Sequence, residues 1–240
     1  MNYATSPVDY AFVEAFVNGV YYSSQFAKAD GTYNLPVAPG KVTLWMYDPD
    51  LGYGPGWRTS TGLSANPASA AVTTVTTGNV TGVTIRAPES VLLDLSLTWK
   101  SCPTCTTSAN ASAEAFAYGT TASFSVATDA GRDLMPLLRG TYKLWIDAVD
   151  GPNHLADGWS SGTTLTADQG AAQSRSITAS TTLAITIPVG GEISIGANDV
   201  HGRGIPALDV QVFANGSFYR DAITTPGGGI SMTVLPGTYR

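Results

Sequence analysis

The segment "VEAFVNG" (Val13–Gly19) returns twice, as "AEAFAYG" (Ala113–Gly119) and as "VQVFANG" (Val210–Gly216). The phenylalanines at the centre of the three copies are 100 and 97 residues apart. Larger apolar residues alternate with small or polar ones in each copy, which is the pattern of a half-buried strand. The residues that follow are turn formers, and Asn-Gly is a strong hairpin signal. The segment therefore predicts a strand and a turn that recur along the chain.

A second block recurs with the same spacing. "APGKVTLW" (Ala38–Trp45) returns as "LRGTYKLW" (Leu138–Trp145), and "LPGTYR" (Leu235–Arg240) begins it a third time. The glycines in these blocks are again 100 and 97 residues apart. Two independent blocks with one set of offsets indicate a tandem array whose period is near 100 residues, which is the size of a whole domain.

The array divides into three modules. Residues 1–88 form module 1, 89–188 form module 2, and 189–240 form module 3. Module 2 is complete, and its first strand is "VLLDLSL" (Val91–Leu97), which returns as "EISIGAN" (Glu192–Asn198) in module 3. Module 1 lacks a counterpart of this first strand, and module 3 is truncated or is completed by another chain. About seven short strands per module, with frequent turns, predict an all-β chain of tandem antiparallel β-sandwiches.

The third module carries a family resemblance. "GEISIGANDVHGRGIPALDVQVFANG" followed by "YRDAITTPGGGISMTVLPGTYR" resembles the carboxypeptidase regulatory-like domain, which is a transthyretin-like β-sandwich, and the related collagen-adhesin B-type repeats of bacterial surface proteins. The best matching segments are Ile205–Phe213 and Gly227–Tyr239. The resemblance implies a transthyretin-like or immunoglobulin-like fold and an extracellular setting. Its motifs are structural, so it implies little about function.

Composition and charge exclude several classes of partner. The net charge is −6, which would repel a phosphate backbone, so we expect no nucleic-acid binding. No apolar run approaches the roughly 20 residues of a membrane span, so we expect no membrane insertion. Charged residues make up only 12% of the chain. We expect a secreted protein that is extracellular or attached to the cell surface.

Two cysteines, Cys102 and Cys105, form a C-P-T-C segment after the first strand of module 2. A redox role would need a thioredoxin-like βαβ context, which the sequence lacks. A zinc site would need about four ligands, and the chain has only two histidines, His154 and His201. A disulfide between Cys102 and Cys105 that closes a tight turn suits an extracellular chain better, and it is the prediction made here.

No set of residues indicates catalysis. The chain has no G-x-S-x-G segment, and Glu14 and Glu114, which share one repeat position, are replaced by Gln211 in the third copy. We therefore predict no catalytic residue, no cofactor and no metal ion. Asp147, Asp150 and Asp157 could supply carboxylates to calcium, but they lack the spacing of a known calcium loop.

The tryptophans also recur in pairs. Trp45 and Trp145 lie in the middle of predicted strands, and we expect them in the core. Trp57 and Trp159 each follow a glycine after a long loop. Together with Tyr53, they are the candidate ligand-contacting aromatics, because exposed rings on loops can stack against sugars. The alternative interpretation is that each ring caps its own sandwich, and its reuse in two modules favours that alternative.

These observations favour a non-enzymatic extracellular structural or adhesive repeat protein, such as a surface stalk, a spacer or a filament subunit. The alternative function is a carbohydrate-binding accessory region of a secreted enzyme. The expected partners are other repeats of the same protein or neighbouring subunits, with strand addition at the incomplete ends. Glycans are the expected partners under the alternative function.

Overall fold

The protein is an all-β chain, as the sequence predicts. The computed structural model describes residues 7–48, 52–99, 111–117, 123–127, 132–148 and 155–240. These residues form strands and turns, with one short 3₁₀ turn at Pro67–Ser69 and no α-helix. Within these ranges no helix has the length and apolar character needed to cross a membrane.

Module 1 is built on one sheet. Its described residues contain β1 (Phe12–Val17), β2 (Val20–Phe26), β3 (Gly40–Tyr47), β4 (Gly56–Arg58), β5 (Leu63–Ser64) and β6 (Thr73–Val75). The strand order is β2-β1-β3-β4-β5, and β6 pairs with β3. Alternate residues of β1 and β3 are buried, so one face of this sheet packs on a core that contains Val13, Leu44 and Met46.

The recurrent Asn-Gly forms the same turn in two modules. Asn18 and Gly19 have φ angles of 52° and 83°, and Asn215 and Gly216 have φ angles of 50° and 84°. Two successive positive φ angles are what a type I′ hairpin turn needs, and Asn and Gly tolerate them best. The two turns connect strands that pair antiparallel, and each pairing contains a bulge, before Phe16 and before Phe213.

Module 2 has two layers. Its described strands are β7 (Val91–Trp99), β8 (Ala111–Ala117), β9 (Ser123–Ala127), β10 (Arg132–Leu137), β11 (Gly140–Ala148), β12 (Gly158–Ser161), β13 (Thr164–Thr166), β14 (Arg175–Ile177) and β15 (Thr181–Ile187). One sheet has the order β13-β12-β11-β8-β9, with β14 beside β11, and repeats the arrangement of module 1. The second sheet has the order β10-β7-β15.

The core of module 2 lies between these two sheets. The first sheet contributes the inward residues of β8 and β11, such as Ala115 and Leu144, and the second contributes Leu95, Met135 and Ile185. Every one of these five residues is almost completely buried. Alternate residues of β11 face away from this core. Because two sheets pack face to face around one core, module 2 is a β-sandwich, as the sequence predicts.

Strand β7 is the centre of the second sheet. It pairs antiparallel with β10 and parallel with β15. The parallel pair departs from the purely antiparallel sandwich that the sequence analysis expects. Parallel neighbours need a long crossover connection, and here the rest of the module lies between β7 and β15. The strand pattern alone contains no signal for this long-range pairing.

Module 3 consists of two antiparallel strand pairs, of which only the second joins consecutive strands. Its strands are β16 (Gly191–Gly196), β17 (Asp209–Ala214), β18 (Ser217–Ile223) and β19 (Gly229–Val234). β16 pairs with β19, and β17 pairs with β18. An isolated bridge joins Ala214 to Tyr239, so the last residues of the chain lie beside β17 as β11 lies beside β8 in module 2.

The buried residues form two hydrophobic clusters. One belongs to module 1. The other includes the core of module 2, the module 3 residues Val212, Met232 and Leu235, and Ala65 from module 1. Contacts between successive modules are therefore part of the buried core. The boundaries at residues 88 and 188 stay a prediction.

The burial of β7 yields a matched pair of stability predictions. Leu95 is 0% exposed, whereas Leu92, on the opposite face of the same strand, is 39% exposed. We expect Leu95→Ala to lower the free energy of unfolding by about 2–5 kcal/mol, because it leaves a cavity in the core. Leu92→Ala should have a much smaller effect. Denaturant unfolding of both variants measures the difference, and equal losses would contradict the assignment of the inward face.

Candidate functional site

The residues that recur most clearly lie where one module meets the next. The joint between modules 1 and 2 contains Gly56, which precedes Trp57, and Leu138, which opens the Leu-x-Gly-Thr-Tyr block. A side chain at Gly56 would overlap Cδ1 of Leu138. Gly54 approaches the same segment, and a Cβ there would lie 2.6 Å from the backbone nitrogen of Leu138. Glycine is required at Gly54 because the backbone of module 2 comes so close, and at Gly56 the side chain of Leu138 and the backbone of Ser64 in module 1 leave no room for a Cβ.

The joint between modules 2 and 3 repeats this contact. Gly158 precedes Trp159 as Gly56 precedes Trp57, and Leu235 is the counterpart of Leu138. A Cβ at Gly158 would lie 2.5 Å from Cδ1 of Leu235. The same glycine therefore meets the same leucine of the following module at both joints. We refer to this arrangement as the glycine–leucine joint.

A tyrosine fixes the leucine segment in both copies. The hydroxyl of Tyr142 donates a hydrogen bond to the carbonyl oxygen of Leu138, at 2.7 Å. The hydroxyl of Tyr239 donates to the carbonyl oxygen of Leu235 in the same way. These hydrogen bonds hold the turn that presents each leucine to the preceding module. The Gly-Thr-Tyr part of the recurrent block thus supports the joint.

Polar contacts strengthen the second joint. The carboxylate of Asp157 in module 2 forms an ion pair with Arg220 of module 3, with 3.1 Å between Oδ2 and Nη1. Its other oxygen accepts a hydrogen bond from the backbone nitrogen of Ala148, at 2.9 Å. Tyr219 of module 3 donates to the carbonyl oxygen of Asp157, at 2.7 Å. Burial is the main reason why the pKa of Tyr219 is raised, so this hydroxyl remains a donor at neutral pH.

The sequence analysis places Trp45 and Trp145 in the core, and the structure differs there, whereas the burial of Trp159 agrees with the favoured interpretation that this ring caps its own sandwich. Trp45 and Trp145 are half-buried, because they lie on the outward faces of β3 and β11. Trp159 is the buried ring, with 6% of its surface exposed. It lies on strand β12 rather than on a loop, and its ring centroid is 5.0 Å from that of Phe116 and 5.2 Å from that of Trp145. Neighbouring rings, including Tyr219 of module 3 over Trp145, cover this face.

The other candidate aromatics also pack inside the protein. Trp57 is half-buried on β4, and its ring centroid is 4.9 Å from that of Phe16. Tyr53 packs against the core of module 1. The indole nitrogens of Trp57 and Trp159 are buried and have no hydrogen-bond partner among the described residues, which is uncommon for a buried donor. A ligand-contacting role for Trp57, Trp159 and Tyr53 stays a prediction.

The predicted disulfide and the possible calcium ligands differ in how far the structure describes them. Cys102, Cys105, Asp150 and His154 lie outside the described residues, so the disulfide stays a prediction. Asp147 is exposed, whereas Asp157 is buried and paired with Arg220. Within the described ranges no group of three or more His, Cys, Asp or Glu residues could hold a metal ion.

A second aromatic group is a feature that the sequence analysis missed. Its rings lie on the outward face of the module 1 sheet, where Phe12 contacts Phe26 and Tyr47 at centroid distances of 4.7 and 5.2 Å. Phe26 is 50% exposed, and Tyr21, which contacts Phe16, is 52% exposed. The open rings Tyr21 and Phe26 both lie on β2, and each contacts a phenylalanine of the neighbouring strand β1. A count of aromatics on the non-core face of each strand could have found them.

No protein-family model and no curated protein matches the chain. Among solved structures, it is similar to the Bacillus anthracis TIE protein at 15% identity and a TM-score of 0.29, over 98% of this chain and 42% of that one. It is also similar to a streptococcal ancillary pilin at 10% identity and a TM-score of 0.24, over 97% and 82% of the two chains. The chain thus spans less than half of the TIE protein. With TM-scores this low, the resemblance to carboxypeptidase regulatory-like and collagen-adhesin repeats stays a prediction.

The ion pair at the second joint gives a testable difference. We expect Asp157→Asn to lower the free energy of unfolding by about 3 kcal/mol, because it leaves the charge of Arg220 without its counterion in a largely buried setting. The matched control is Asp199→Asn, which breaks an ion pair with Arg203 that lies on the surface. It should matter much less, because water screens exposed pairs. Thermal unfolding at low and high salt would separate the two, and equal losses would contradict a buried joint.

Proposed function

We propose that the chain is a non-enzymatic structural repeat protein of the cell surface, acting as a stalk, a spacer or a filament subunit. The observation that carries the proposal is the repetition of the glycine–leucine joint. Gly56 meets Leu138, and Gly158 meets Leu235, at corresponding places of successive modules. Because the two joints are built in the same way, module 2 should be oriented relative to module 1 as module 3 is oriented relative to module 2. Such a chain forms a stiff rod, in contrast to modules that are joined by flexible linkers.

The connection between modules 2 and 3 also supports a mechanical role. The connection between modules 2 and 3 is short: only Pro188, Val189 and Gly190 separate β15 from β16. Gly190 is itself packed, since a Cβ there would lie 2.6 Å from a methyl group of Thr233 and 2.8 Å from Ala156. Flexible linkers are long and solvated, whereas this one has three residues and its Gly190 lies against both modules. We expect partners to be other repeats or neighbouring subunits, which would associate by addition of a strand.

Carbohydrate binding is the second candidate function, and the open rings on the outward face of module 1 favour it. Sugars stack on exposed aromatic faces, and here Tyr21 and Phe26 are more exposed than Trp57 or Trp159. Under this function, Tyr21→Ala and Phe26→Ala should weaken retention on immobilised polysaccharide. Phe218→Ala, which removes a ring of similar exposure from module 3, is the matched control. Retention that none of the three variants alters would exclude this face as the sugar site.

The rod is tested at the second joint. We expect Gly158→Ala to loosen module 3, because the added methyl group displaces Leu235, at a cost of about 1–3 kcal/mol. Spin labels at two exposed positions, Thr163 and Val200, would report a broader distribution of distances between modules 2 and 3. Leu235→Ala should broaden the distribution as well, because it removes the side chain that packs against Gly158.

Gly191→Ala is the matched control for this experiment. It lies next to the same joint, but a Cβ there would meet no atom within 4 Å. The distance distribution of Gly191→Ala should equal that of the unchanged chain. If the unchanged chain already shows a broad distribution, the modules move freely and the rod proposal is wrong.

A further inference from the structure

A carboxylate lies in the middle of the rings on the outward face of the module 1 sheet. Burial alternates along β1, so Phe12, Glu14 and Phe16 share this face. The register of the sheet sets Glu14 opposite Ser24 of β2 and Trp45 of β3. Directly opposite residues of antiparallel strands point to the same side of the sheet, with Cβ atoms about 4.5–5.5 Å apart. Glu14 therefore has neighbours on this face along its own strand and on both adjacent strands.

Most of the neighbours of Glu14 on this face are aromatic. The row of opposed residues on one side of Glu14 consists of three rings, and the row on its other side begins with two. The rings contact one another, with centroids 4.7 to 6.0 Å apart. We call Glu14 and the rings of this surface the aromatic face of module 1. Its seven rings are Phe12, Phe16, Tyr21, Phe26, Trp45, Tyr47 and Trp57.

The carboxylate of Glu14 is half-buried and has no counterion. In the part of the chain that the structure describes, it makes neither a hydrogen bond nor an ion pair. Burial raises the pKa of Glu14 above its ordinary value, because removing a carboxylate from water without a partner disfavours its charged form. A cation bound beside Glu14 would stabilise the charged form and offset the cost of its burial.

Module 2 keeps the carboxylate but lacks most of the rings. Glu114 has the register position of Glu14, again opposite a serine and a tryptophan. The row that consists of three rings in module 1 contains Ser112, Asp147 and Ala127 in module 2. The strand order of the two sheets is nevertheless the same, so the sheet does not require these rings. Exposed apolar surface that the fold does not require is typical of a binding site.

The two components of the aromatic face favour one class of ligand. Aromatic rings stack on the apolar faces of sugars, and the negative faces of the rings also attract cations. The carboxylate of Glu14 favours a positive group that can donate hydrogen bonds. The hydroxyls of Tyr21 and Ser24, which lie 2.9 Å apart, add polar atoms beside the rings. A sugar with a protonated amine would match all of these groups, whereas a neutral sugar would leave Glu14 without a counterion.

We propose that the aromatic face of module 1 binds a polysaccharide that carries protonated amino groups. One ammonium group pairs with the carboxylate of Glu14, and the neighbouring sugar rings stack on Tyr21 and Phe26, which are 52% and 50% exposed. The inference rests on the second candidate function, carbohydrate binding, and names the class of sugar. It does not depend on the glycine–leucine joint.

Two soluble oligosaccharides test the proposal on the full chain. One is a short chitosan oligomer, which is a chain of glucosamine, and the other is the fully acetylated oligomer of the same length, which has no charge. Isothermal titration calorimetry measures both affinities at about pH 6, where amines are protonated and ordinary carboxylates are ionised. We expect the glucosamine oligomer to bind more tightly by roughly tenfold or more, because hydrogen bonds between charged groups are stronger than neutral ones.

Three variants locate the site. Glu14→Gln removes the charge and keeps the shape, so it should lower the affinity for the glucosamine oligomer roughly tenfold and leave that for the acetylated oligomer unchanged. Glu114→Gln is the matched control, because it removes the same charge from the same register position of module 2, and it should change neither affinity. Phe26→Ala should weaken the binding of both oligomers, because it removes a stacking surface.

The remaining outcomes would overturn the proposal. Equal losses with Glu14→Gln and Glu114→Gln would show that the net charge of −6 attracts the oligomer without a specific site. Equal affinity of the unchanged chain for the two oligomers would remove the amine from the proposal and leave carbohydrate binding in place. An oligolysine of equal charge that binds as tightly, with the same loss in Glu14→Gln, would exclude the sugar as the occupant. Retention on neutral polysaccharide tests the carbohydrate function separately.

Discussion

The central strand of the second layer is the constraint on which each module depends. In module 2, β7 joins β10 to β15 and completes the burial of Leu95 and its neighbours. In the described part of module 1, residues 33–37 and 83–87 form no strand, and the hydroxyl of Tyr33 donates to the carbonyl oxygen of Val83. The first sheet forms in either case, because its hairpins are local in sequence. The second layer requires a strand that closes long loops, whose entropy its contacts must offset.

The joints extend the same packing from one module to the next. A sandwich has open ends, and here modules 1 and 2 each receive a leucine from the following module at one end. Gly56 and Gly158 leave the room that Leu138 and Leu235 fill, and a tyrosine hydroxyl holds each leucine turn. Because the core of modules 2 and 3 is one hydrophobic cluster, their orientation is coupled to their stability. That coupling supports the proposed stiffness of the repeat chain.

Local patterns were sufficient to predict the strands and the hairpins. Alternation in β1 and β11 and the Asn-Gly turns identified an all-β repeat, since each depends on residues close in sequence. The roles of the tryptophans were not predictable in this way. Trp145 lies on the outward face of its strand, and Trp159 is buried by rings from two other strands. Asp157 was considered as a calcium ligand, but its carboxylate binds Arg220 of the next module. No local pattern contains these distant neighbours.

The sequence by itself determined the fold class, the period and the places of the turns, because backbone pairing and burial follow from residue alternation and from positive φ at Asn and Gly. It also marked which glycines, leucines and tyrosines recur. Only the tertiary structure decided what that recurrence is for. It placed the glycine of one module against the leucine of the next and paired β15 parallel to β7. These contacts join residues that are tens of residues apart or belong to different modules, so their meaning depends on how the sheets stack and not on local propensity.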